Sequence, residues 1–209
     1  MTTSMKLAGV CAALVAGSAV YAQQAPAVET AASSGLLGKR YVEAGFAATD
    51  VNHTKRDVFG TGVAVNLPVA SSLDVGFAYN YAWAEGNSDL NASTLAASVT
   101  EFVDVTGVSG LKAFGTLALG YEWLDTPWGD DEETFWGADL GVEYSFNSKL
   151  SATASVGYTD NFHGPSDDGV WNGTVTANYW LTEKLAANAA LSLVEGGDVV
   201  YGVGVALKF

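Results

Sequence analysis

The sequence predicts an all-β, transmembrane, antiparallel up-and-down β-barrel of about ten strands. Three observations carry this. Segments of about ten residues with period-two alternation recur from residue 39 to the end of the chain, the pattern of strands that cross a bilayer. The connections between them fall into two sets, one short and stereotyped, the other more polar and mostly longer. The face opposite the apolar one is mainly Gly, Ala, Ser, Thr and Asn. That is a poor exterior for a soluble protein and a reasonable lining for a barrel.

The elements follow in order. Residues 1–22 read as a signal peptide. Lys6 precedes an apolar run over 7–20, and Val20-Tyr21-Ala22 stands before Gln23, which fits cleavage after Ala22. The run is too short for a permanent membrane helix, and no polar face accompanies it as in a buried helix. The single cysteine, Cys11, lies here. Residues 7–11 superficially resemble a lipoprotein box, but Val10 and the continuing apolar run speak against lipidation. The processed chain is then free of thiol and disulfide chemistry. Residues 23–38, rich in Ala, Ser and Gln, read as a flexible periplasmic lead-in. Residues 39–209 are the barrel. No second domain is expected, nor a peptidoglycan-binding module after the barrel, because the last strand runs to the terminus.

Ten strands are expected over 39–49, 57–67, 72–84, 90–103, 111–124, 135–146, 150–159, 170–180, 185–194 and 199–209. The third is the clearest: Leu73, Val75, Phe77, Tyr79, Tyr81 and Trp83 share one face, and Asp74, Gly76, Ala78, Asn80 and Ala82 the other. The fourth is blurred by Ala and Ser, which leaves eight strands as the alternative count. Short turns are expected around 68–72, 147–149 and 181–184, with a looser one around 104–110. The opposite end carries 50–56, 85–89, 125–134, 160–169 and a tight Gly-containing turn at 195–198. Trp83, Trp123, Trp136, Tyr158 and Trp171 fall at the loop ends of strands, and Tyr144, Phe146, Tyr179 and Phe209 at the turn ends. Two aromatic belts flanking an apolar band mark the two membrane interfaces.

Composition narrows the classes. Charged residues make up 15%, against about 25% in soluble domains. Nine basic residues against 23 acidic ones give a net charge of −14, which excludes the basic footprint of a nucleic-acid binder. A lipocalin-like barrel or β-sandwich also alternates, but its polar face would be solvated and charged.

The last strand carries a family resemblance. Val199, Tyr201, Val203, Val205, Leu207 and Phe209 share one face, and the chain ends on an aromatic residue. In this it resembles the final strand of small bacterial outer-membrane β-barrels of the porin-like kind. The resemblance implies that Val205, Leu207 and Phe209 act as an assembly signal for the barrel-assembly machinery. It further implies an outer-membrane location and contact with outer-membrane lipids and lipopolysaccharide, and an even strand count would put both termini on the periplasmic side. It names neither a substrate nor an oligomeric state.

Chemistry on the chain is sparse. Glu43, Asp74, Lys112, Glu122, Asp139, Glu143 and Lys208 are expected to line the lumen, either pairing with one another and with Asn and Thr or, as five acids against two bases, favouring cations. Small inward residues such as Gly45, Gly62, Gly76, Gly120, Gly141, Gly202 and Gly204 suit a narrow water path or tight strand packing, and bulky Tyr41, Phe114 or Trp180 would block a path. The acidic loop 125–133 could take Ca²⁺ or Mg²⁺, but its spacing matches no EF-hand loop and a solvated loop is the simpler expectation. The two histidines, His53 and His163, fall in outer loops. His163 invites comparison with omptin-like proteases and lipid A deacylases, yet position 161 is Asn where the protease pattern wants Asp. No cofactor, metal or enzymatic activity is expected. The functions in play are a narrow cation-preferring pore, a loop-mediated binding or adhesion barrel, a structural barrel and, last, a rim hydrolase.

Overall fold

A computed structural model describes residues 34–50, 57–86, 90–127, 129–162 and 169–209. Ten strands close into one barrel: β1 (Tyr41–Asp50), β2 (Val58–Ala70), β3 (Leu73–Ala84), β4 (Asn91–Asp104), β5 (Leu111–Thr126), β6 (Gly129–Ser145), β7 (Leu150–Asn161), β8 (Val170–Trp180), β9 (Leu185–Val194) and β10 (Asp198–Lys208). Each strand pairs antiparallel with its sequence neighbours, and β1 pairs with β10 from Tyr41↔Lys208 to Asp50↔Val199. The ten-strand count therefore holds, including the blurred fourth strand.

The faces are those the alternation implies. Leu117, Leu140, Val175, Val203 and Leu207 point outward and are exposed, while Asp74, Thr94, Glu143 and Asn178 point inward and are buried. An apolar exterior around a polar interior inverts a soluble protein. The bilayer accounts for it, because lipid covers the outer band and closure leaves no unpaired strand edge in hydrocarbon. Aromatic residues cluster at both rims. Phe46, Phe59 and Trp83 lie within 6.3 Å of one another, and Tyr158 packs against Trp136 and Trp171. At the other end Tyr144 meets Phe146 edge-on.

Two local features differ from the sequence expectation. β6 begins at Gly129, six residues before the expected start at Phe135. The run Asp130, Asp131, Glu132 and Glu133 is not a loop but pairs with Asp125, Leu124, Trp123 and Glu122 of β5. Tyr121 donates to Glu132, and Asn161 of β7 donates to Glu133. β2 runs past Pro68, with a register shift between Pro68 and Ala70. Pro lacks the N–H a regular ladder needs, so the irregularity falls there. The tight connection from β9 to β10 sets Gly196 and Gly197 at φ of 98° and 90°, where a Cβ is strained.

The outer band makes a depth-dependent prediction. Leu140→Arg, in the middle of an apolar stretch, is expected to cost about 2–4 kcal/mol, and Leu181→Arg, in a turn at the rim, about 0–1 kcal/mol. Urea unfolding from lipid vesicles measures both. Equal costs would contradict a lipid-covered band at Leu140.

Candidate functional site

The lumen is the candidate site, and each expected charge lies where the register puts it. Glu43, Asp74, Glu122, Asp139 and Glu143 are buried inside the wall. Asn188 donates to Glu43 at 2.7 Å and Asn66 to Asp74 at 3.1 Å. Thr94 donates to Glu122 at 3.2 Å. Further polar pairs join Thr100 to Thr116 and Thr174 to Ser192, each at 2.8 Å. One oxygen on each of Glu43, Asp74 and Asp139 has no hydrogen-bond partner among the described residues.

The inward glycines leave less room than their size suggests. Gly141 faces Phe114 across the β5–β6 ladder, and Gly120 faces Phe135. A Cβ on Gly141 would sit 2.5 Å from the Phe114 ring and 2.6 Å from the Ala154 carbonyl. The Phe135 ring likewise covers Gly120. Elsewhere a polar side chain takes the space: Asn80 over Gly62, Ser98 over Gly76, Asp139 over Gly157 and Asn188 over Gly204. Each of these is a cross-strand partner in the register. Of the two readings of these small residues, tight packing describes those positions. Phe114 and Trp180, named as blockers from sequence, are buried in the interior, as is Tyr41.

The turn-end mouth holds a feature the sequence reading missed. Residues 34–38, assigned to the flexible lead-in, are buried inside the barrel. Both Leu36 and Leu37 donate backbone N–H groups to one Glu143 oxygen, at 2.7 and 3.2 Å. Gly35 N–H donates to Ser145 Oγ at 3.1 Å. Ser34 Oγ donates to the Leu150 carbonyl at 2.7 Å. The Ser34 carbonyl accepts from Trp180 Nε1 at 2.6 Å and from Ser151 Oγ at 3.1 Å. Lys112 Nζ donates to the Leu37 carbonyl at 3.2 Å, and Asn66 to the Lys39 carbonyl at 2.8 Å. Leu36 packs among Tyr41, Trp180, Ala186 and Ala206, and Leu37 against Phe102 and Phe114. By these hydrogen bonds residues 34–38 reach β5, β6, β7 and β8, and Lys39 reaches β2.

Three ammonium groups gather at this mouth. Lys39 and Lys208 lie 4.8 and 6.0 Å over the Trp180 ring, and Lys112 lies 4.7 Å over Phe102, within cation–π range. Burial lowers Lys39, which precedes β1, to about 8, against the pull of Glu143. Lys39 was not among the expected lumen charges, and with it the bases number three. His53 and His163 lie outside the described residues. Among the described residues no group of three or more His, Cys, Asp or Glu side chains could hold a metal.

No protein-family model and no curated protein matches the chain. Solved barrels do. The N-terminal β-barrel domain of Pseudomonas aeruginosa OprF is similar at 15% identity, TM-score 0.42, covering 82% of this chain and 98% of that one. The NanC porin is similar at 11% identity, TM-score 0.44, covering 81% and 100%. The KdgM porin is similar at 11% identity, TM-score 0.43, covering 81% and 99%.

The interlocked lumen makes a direct prediction. Gly141→Ala meets a backbone carbonyl as well as a ring, so it is expected to destabilise the barrel by about 1–3 kcal/mol. Gly173→Ala, whose Cβ would have only a 3.9 Å neighbour, should be close to neutral. Unfolding midpoints of the two variants check the difference.

Proposed function

We propose that this barrel sits in a bacterial outer membrane and serves as a narrow, cation-favouring conduit whose described state is closed at the turn end, without enzymatic activity. One observation supports this above the others. Glu43, Asp74 and Asp139 bury carboxylates inside the barrel, and each keeps one oxygen without a hydrogen-bond partner among the described residues. Burying such groups is expensive, and ionisable residues at membrane depth mark ion paths more often than scaffolding. A barrel that only filled space would do better with Thr or Ala there.

A second reading has an observation of its own. The glycine–phenylalanine interlock on β5 and β6 and the buried strap fit a barrel that never conducts. In that case the outer hairpins would carry the function, as a binding surface. In either case the apolar outer face at the end of β10, with Val205, Leu207 and the following Phe209 exposed, suits contact with lipid and lipopolysaccharide. It also suits the assembly-signal role of those residues.

The two readings part in a planar bilayer. In a KCl gradient the conduit should give brief steps with a reversal potential on the cation side. Asp139→Asn with Glu43→Gln should move that potential toward zero. A folded, heat-modifiable barrel that gives no steps under any condition would overturn the conduit reading.

A further inference from the structure

The strap is bound like a ligand rather than built in like a strand. None of residues 34–38 joins a ladder, and without them β1 pairs with β10 over Tyr41–Asp50 and with β2 over 41–49. The hydrogen bonds that hold the strap come from side chains of Glu143, Ser145, Ser151, Trp180 and Lys112, and from one turn-side carbonyl, Leu150. Gly38 stands between the strap and β1 at a φ of 100°, a conformation that favours Gly and lets the chain turn sharply there.

The cradle is specific for peptide backbone. A carboxylate oxygen that accepts two successive N–H groups holds a turned main chain, as an anion does in a backbone nest, and the Lys39 N–H to Leu36 carbonyl bond at 3.1 Å closes that turn. Two apolar pockets, one under Trp180 and one against Phe102 and Phe114, take adjacent bulky side chains. Leaving need not strand the carboxylate, because Lys39 and Lys112 both lie within its electrostatic reach.

We propose that the turn-end mouth is a binding cradle for a turn-forming peptide with two adjacent Leu residues, filled reversibly in cis by residues 34–38, so that vacating it unseals the lumen. The unsealing rests on the conduit reading; the cradle does not.

Two measurements on the full barrel test it. In the first, Leu36→Cys is compared with Ala186→Cys, its neighbour on the wall in the same cluster; both use a chain starting at Gln23, which has no other cysteine. A reversible strap should expose Cys at 36 to a small thiol reagent at least ~10-fold faster than Cys at 186, both in folded protein. Equal rates would overturn the proposal, since the strap would then move only when the wall does.

In the second, Leu36→Asp with Leu37→Asp expels the strap from its apolar pockets. A labelled peptide of residues 34–39, with its native leucines, should then bind this variant saturably in detergent micelles. Adding Glu143→Ala should weaken binding on the order of tenfold to a hundredfold, the loss expected for hydrogen bonds to a charged acceptor. No binding to the folded variant, or binding indifferent to Glu143, would overturn the cradle. Saturable, Glu143-dependent binding in a barrel that never conducts would uphold the cradle and sink the conduit reading instead.

Discussion

The structure depends on the ladder between β1 and β10. Without it the sheet has two open edges, each a row of backbone N–H and C=O groups facing hydrocarbon with no partner. Such groups cost several kcal/mol apiece in a bilayer. Ten paired positions, from Tyr41↔Lys208 to Asp50↔Val199, remove that cost. Once the ring is closed, every residue must face either lipid or lumen, and period two becomes obligatory. The strands of this chain obey it, which is why Pro68 is confined to an irregular end of β2.

Closure also sets how the interior is filled. A ten-stranded ring is wider than the eight-stranded one that side chains just fill, yet ten ranks of medium side chains would still collide across neighbouring strands. The chain resolves this pairwise. A glycine on one strand stands opposite a larger inward residue on the next: Gly141 opposite Phe114, Gly120 opposite Phe135, Gly62 opposite Asn80. The larger side chain lies over the glycine instead of projecting straight into the axis. The interior is therefore interlocked around its circumference, and the groups left facing one another are the polar ends of Asn, Thr, Asp and Glu.

This explains what could and could not be read from the sequence. Strand number and facing were legible because the membrane imposes one period on every crossing, and β3 displays it residue by residue. The start of β6 was not, because residues 129–134 extend the hairpin beyond the apolar band. There the ladder continues by backbone pairing with β5 while the side chains, all acidic or polar, carry no alternation. The role of the inward glycines was not legible either, since a single strand does not reveal its partner's register. The strap was hidden by composition, because Ala, Ser and Gln around it resemble a linker. One signal was present: Leu36 and Leu37, flanked by Gly35 and Gly38, are out of place in a solvated tether.

The placement of charge connects strap and lumen. Lys39, Lys112 and Lys208 all gather at the turn-end mouth, beside Glu143 and near Asp74, whereas Glu43 is met by an amide and Asp139 has an oxygen without a partner among the described residues. At the other end the β5–β6 hairpin presents Asp125, Asp130, Asp131 and Glu132 to solvent. On the conduit reading proposed above, a cation entering from that side would be drawn inward by carboxylates and then meet three ammonium groups, so the mouth would oppose it twice, by occupation and by charge. With the strap in place, Glu143 is engaged by two backbone N–H groups and Lys112 by the Leu37 carbonyl. With the strap out, Glu143 and its lysines become each other's natural partners. On the proposed reading, the same movement that empties the mouth would free Glu143 to pair directly with the lysines, so the steric and electrostatic barriers would change together.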